Sequence, residues 1–87
     1  MTLVEQLSDP VTRIKYADSA HTLLKEGIRE FEGGKYPNAE FYLGISGRIF
    51  HELGDKFYAR ITRGWFVNTV KRNPDSNYKE QLPDWCQ

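Results

Sequence analysis

Small residues recur between Ala20 and Ser46 where two antiparallel helices would have to touch, in the pattern A-x-x-L-x-x-x-G-(x)11-A-x-x-x-L-x-x-S. Gly27, Ala39 and Ser46 are the contact positions. A larger side chain at Gly27 or Ala39 would push the helices apart, whereas Leu23 and Leu43 fill the space between them. The pattern therefore predicts a tight helical hairpin.

The flanking residues extend that hairpin into three helices. Ser8-Asp9-Pro10 is a helix start, an N-cap side chain before a Pro that the first turn tolerates. Apolar residues then recur at Val11, Ile14, Ala17, Ala20 or His21, Leu24, Ile28 and Phe31, which predicts a helix over 10–32. Gly33-Gly34 ends it, since glycine adopts the left-handed cap at no steric cost. Tyr36-Pro37 opens a second helix over 36–53, with Ala39, Tyr42 or Leu43, Ser46, Ile49 or Phe50 and Leu53 on its apolar side. Gly54-Asp55 closes it. A third helix over 55–72 carries Phe57, Tyr58, Ile61, Trp65, Phe66, Val67 and Val70 and stops at Asn73-Pro74. Strand signals are absent. The expectation is an all-α fold, a three-helix bundle or a hairpin with a third capping helix. A helical domain spans 10–72, with an N-terminal segment over 1–9 and an extended, polar C-terminal tail over 73–87.

Eighty-seven residues make one small domain, and a chain of this size buries only about 60 to 65% of its unfolded surface. Oligomerisation, as a homodimer, is a natural way to cover what remains. The single Cys86 has no partner for an intrachain disulfide, which points to a reducing compartment. Met1 to Pro10 carries Glu5 and Asp9 and does not read as a signal peptide. No apolar run approaches the roughly 20 residues of a membrane span. A cytoplasmic protein with no membrane partner is expected.

Net charge is zero, but the bases cluster. Lys56, Arg60, Arg63, Lys71 and Arg72 fall in the third helix with no acid among them, making that helix a candidate for contact with phosphates or an acidic partner. Glu26 and Glu30 beside Lys25 and Arg29 read as a salt-bridged, exposed face. Gly44 and Gly47 each cost about 1 kcal/mol inside a helix, so close approach of another element is expected there. The third helix or a second copy of the chain would supply it, with Gly64 as the facing contact. Phe57, Tyr58, Trp65 and Phe66 cannot all enter one core stripe, so some reach the surface, where aromatic residues near Arg have the composition of an interface. In the tail, Leu82-Pro83-Asp84-Trp85 is the apolar element, expected to dock on the bundle or on a partner.

The residues from Ala20 to Ser46 resemble the tetratricopeptide repeat, a helix-turn-helix unit that stacks into superhelices and binds other proteins. Tyr36 matches the aromatic before its second helix, and Leu53-Gly54-Asp55 looks like the turn linking some longer repeats. The chain departs from the pattern at Glu26 and Glu30, where Leu and an aromatic are usual. Gly34-Lys35-Tyr36 and Ala39 to Leu43 also resemble the microtubule-interacting and trafficking domain, a three-helix bundle whose partner lies beside its third helix. Both resemblances imply peptide or protein binding. In the first, the inner, ligand-facing positions are His21, Leu24, Ile28 and Phe31, with Ile61 and Trp65 of the third helix beside them. That set is apolar, which fits an apolar peptide, a helix or a second copy of the chain.

No catalytic constellation is present. His21 and His51 are far apart, with no Asp, Cys or second His at ligand or relay spacing. His21 on a helix face reads as a half-buried packing residue. No glycine follows a strand to form a phosphate-binding loop. The expected function is a non-enzymatic protein-interaction module or small adaptor, without cofactor or metal. The alternatives are nucleic-acid binding through the basic third helix and a self-assembling helical dimer.

Overall fold

A computed structural model describes residues 8–87. Most of the segment expected over 1–9 lies outside them. The chain forms α1 (Pro10–Glu32), α2 (Tyr36–Glu52) and α3 (Lys56–Arg72), followed by a tail that ends in a short 3-10 turn (Asp84–Cys86). Among the described residues there is no strand. The fold is an all-α three-helix bundle.

Local chemistry sets each boundary. The Asp9 carboxylate accepts from the Val11 amide at 3.4 Å and from the Thr12 hydroxyl at 2.8 Å. Asp55 does the same for α3 by accepting from the Tyr58 amide at 3.1 Å. Both links between helices are three residues long and share one geometry. In the first, the amide of Gly34 donates to the Phe31 carbonyl and that of Lys35 to the Glu30 carbonyl; in the second, Gly54 donates to His51 and Asp55 to Phe50. Gly34 and Gly54 each have φ of 76°, the left-handed conformation this cap requires. Gly33, expected to share that role, has φ of −81° and serves as the residue before it.

The hairpin register follows the small residues. The Ser46 hydroxyl, fully buried, donates to the Ala20 carbonyl at 2.7 Å. A Cβ placed on Gly27 would fall 2.6 Å from two side-chain atoms of Leu43, so the hydrogen atom there is what lets α1 and α2 close. Near the other end of the hairpin, the Arg13 guanidinium donates to the Leu53 carbonyl at 2.7 Å. This antiparallel register places the end of α2 at the level of Arg13. Val11, expected on the apolar face of α1, lies beyond that level and is exposed; Ile14, expected on the same face, is exposed as well.

Both α1 and α3 pack along α2 and touch each other only sparsely. Two aromatic clusters mark where they meet. His21 stands edge-on to Phe50 and Tyr58, at 4.9 and 4.4 Å, and those two rings stack at 5.3 Å. At the far end Phe31 meets Tyr36 at 5.6 Å and Trp65 at 5.4 Å, while the Arg72 guanidinium lies 5.1 Å over its ring. Since His21 pairs with Tyr58 and Phe31 with Trp65, α1 and α3 run parallel, each antiparallel to α2.

The buried face of α3 is Thr62, Phe66, Thr69 and Val70. Both threonines are satisfied within the helix, donating to the Tyr58 and Trp65 carbonyls at 2.7 Å, so their burial carries no orphaned hydroxyl. Of the four aromatics that cannot share one core stripe, Phe57 is the one left exposed, and Ile61 is exposed beside it. Ala39 is fully buried, with no room for added methyl groups. Ala39→Leu is expected to lower stability by about 1 to 3 kcal/mol, read as a shifted denaturant midpoint; parent-like stability would contradict this packing.

Candidate functional site

The tail does not run free. Buried Asn73 turns the chain back, its side-chain oxygen accepting from the Asp75 amide at 3.1 Å. Tyr78 then reaches the ring of Phe66 at 5.6 Å and Trp85 reaches it at 5.1 Å. Trp85 and Cys86 are both buried in the same core as the helices.

Two glycines of α2 admit this arrangement. A Cβ on Gly44 would stand 3.4 Å from the Phe66 ring, whereas a Cβ on Gly47 would collide with the six-membered ring of Trp85. The smooth side of α2 thus receives α3 at Gly44, as expected, and the tail at Gly47. Gly64, expected to be the facing contact, has nothing within 4 Å of its Cβ position. It points away from α2 because the inward face of α3 runs through Thr62, Phe66 and Thr69.

Laying the tail beside α2 leaves a cleft of about 580 Å³ between them. Phe66, Tyr78, Pro83 and Trp85 line one side, and Glu40, Phe41, Gly44, Ile45 and Arg48 the other. Phe41 is 64% exposed, and Ile45 and Tyr78 are exposed as well. One oxygen of Glu40 is buried without a hydrogen-bond partner.

The side chains expected to form a ligand face between α1 and α3 are brought to one seam but largely spend their surface on each other. Phe31 and Trp65 are in contact, His21 is held between Phe50 and Tyr58, and Leu24 is buried. Ile28 packs against the core, and Ile61 is exposed.

The five bases of α3 divide. Lys56, Arg60 and Arg63 line a second cleft of about 580 Å³ with His51, Cys86 and Gln87. Lys71 and Arg72 lie at the opposite end of the helix, Arg72 over Phe31 and Lys71 accepting at its carbonyl from the Lys79 ammonium at 3.3 Å. Glu26 pairs with Arg29 at 3.6 Å on an exposed face, where such pairs contribute little.

No helix among the described residues is long and apolar enough to cross a membrane, and none of their His, Cys, Asp and Glu side chains group to hold a metal ion. Searches against protein-family models, curated proteins and solved structures find no significant match for this chain.

Sequence reasoning missed Glu40, Phe41, Ile45 and Tyr78 as lining residues. The available signal was the Gly44 and Gly47 pair, which marked a side of α2 open to close approach; nothing local showed that the tail would be what approaches.

The tail contact also fixes the chemistry of Cys86. Burial pushes its thiol up from 9.0 to about 11, against the lowering pull of Arg63, whose Nε donates to the Cys86 carbonyl. At pH 8 its reaction with a thiol reagent is expected to run about 100-fold slower than that of a free cysteine. Because the folded pKa is the higher one, this contribution to stability is complete below pH 9.0 and lost as pH rises to about 11, as the unfolded chain gives up its proton first. Denaturant midpoints of the parent and Cys86→Ser should therefore converge over that window. A free-cysteine rate in the folded protein would contradict the docked tail.

Proposed function

We propose that this chain is a non-enzymatic protein-interaction module that holds a peptide segment of its partner in the cleft between α2 and the tail. The observation that carries this reading is the cleft's exposed apolar rim. Phe41, Ile45 and Tyr78 remain open to solvent around a concavity floored by aromatic rings, the setting in which a few anchor side chains account for most of a binding energy. The hairpin's resemblance to a tetratricopeptide repeat favours the same class of function. Parallel α1 and α3 on a shared α2, joined by two identical turns, agree with it.

A second reading, binding of a nucleic acid or another polyanion, is favoured by the convergence of Lys56, Arg60 and Arg63 on one cleft. The two differ in their salt response. Contacts to phosphates weaken steeply with salt, whereas an apolar cleft does not.

Peptides selected from a random library on the immobilised chain should compete with one another and shift the amide resonances of Phe41, Gly44 and Tyr78. Phe41→Ala is expected to weaken them by about 2 kcal/mol with helical content unchanged, because that ring is 64% exposed. Selected peptides that map elsewhere and ignore Phe41→Ala would overturn the proposal. Light scattering that shows the chain itself occupying the cleft as a dimer would replace the peptide with a second copy.

A further inference from the structure

The second cleft, where the ends of α2 and of the tail meet the first turns of α3, is lined by one sign of charge. Lys56, Arg60 and Arg63 are spaced by four and three residues, which puts them on one face of α3, and all three are exposed. His51 of α2 and Gln87 of the tail add exposed polar side chains, and no acidic residue lines the cleft. Among the described residues none of the three cations is held in an ion pair, and the preceding Asp55 carboxylate is engaged with the Tyr58 amide. Their charge is therefore open to an anion from outside.

The tail prepares Arg63 for that role. Its Nε donates to the Cys86 carbonyl, which directs the side chain and removes part of the cost of ordering it on a ligand. A guanidinium has further N–H donors on its two terminal nitrogens, and these are left for the ligand. The cationic face then ends, since Lys71 is eight residues past Arg63, about 12 Å along the helix, and Arg72 lies over Phe31. An extended polyanion finds no continuous track here, whereas three cations within two turns of helix match a compact group of high charge density. A phosphomonoester carries about 1.5 to 2 negative charges at pH 7 and three acceptor oxygens. A carboxylate offers a single charge on two oxygens.

From this geometry we propose that the cleft binds one compact phosphate group, as found in a phosphomonoester or in free phosphate. Its oxygens are shared among the Lys56 ammonium and the guanidinium groups of Arg60 and Arg63, and an N–H of His51 reaches the same anion from α2. This rests on the reading of the cleft as an anion site and names the anion; it does not depend on the apolar cleft between α2 and the tail.

The isotope-labelled full chain is titrated at constant ionic strength with acetyl-phosphoserine-amide, with inorganic phosphate and with an oligothymidylate that has no terminal phosphate, following the amides of His51, Lys56, Arg60 and Arg63. The capped phosphoserine is expected to shift them. Arg60→Gln should weaken it about 5-fold, and Lys71→Gln, which removes the same charge at the far end of α3, should leave it unchanged. Tighter binding of the capped phosphoserine than of inorganic phosphate assigns the site to a phosphorylated chain, and equal binding assigns it to free phosphate. Shifts from the oligonucleotide with none from either phosphate ligand, or equal weakening by Arg60→Gln and Lys71→Gln in variants of parent-like helicity, overturn the inference and leave a polyanion surface standing. Absence of shifts from all three ligands overturns both.

Discussion

The hydrogen atom that stands for a side chain at Gly47 is the constraint on which the rest of the architecture depends. It lets the Trp85 ring lie directly on the backbone of α2, and with it comes the course of the whole tail. The indole seals the core beside Phe66, Cys86 is drawn under cover near Arg63, and Tyr78 is held where it can line the cleft. A small domain has little interior to spare. Here the tail supplies part of it, so the segment that sequence composition marks as polar and extended becomes a fourth wall of the core.

The helix α2 is a spine with three different contacts, each admitted by small residues. Ala39 and Ser46 face α1, with Ser46 bonded across to the Ala20 carbonyl; Gly44 accepts Phe66 of α3; Gly47 accepts Trp85. Leu43 and Phe50, both fully buried, fill the space that close approach leaves between them. Crowding three elements on one helix explains why α1 and α3 meet only at their aromatic clusters. It also explains why the open apolar surface lies on the far side of α2, where the tail stands off from Phe41 and Ile45 rather than covering them.

Much of this was legible from local chemistry. Gly34 and Gly54 announced the two turns, Asp9-Pro10 and Pro37 the first two helix starts, and the spacing of Ala20, Gly27, Ala39 and Ser46 set the hairpin register, whereas the capping role of Asp55 emerged only from its bond to the Tyr58 amide. What escaped was tertiary. The inward face of α3 is half threonine, and Thr62 and Thr69 look like surface residues until their hydroxyls are seen bonded within the helix. That hidden periodicity left Gly64 as an apparent contact. Val11 and Ile14 kept a helical period but stand exposed near the end of the hairpin, Val11 beyond the last turn of α2. Glu40 carried no signal as a lining residue, since the opposite wall of its cleft comes from the tail, nearly forty residues downstream in a chain of 87.

The most direct test sets two identical substitutions against each other in equilibrium unfolding. Gly64 lies in a helix interior with open space at its Cβ position, so Gly64→Ala should raise stability by about 0.5 to 1 kcal/mol. Gly47→Ala places the same methyl group against Trp85 and should lower stability by about 1 to 3 kcal/mol, despite the better helix propensity of alanine. Opposite signs at the two sites are what the account predicts. A Gly47→Ala chain stabilised to the same degree as Gly64→Ala would contradict it, because the tail could not then be seated on that glycine.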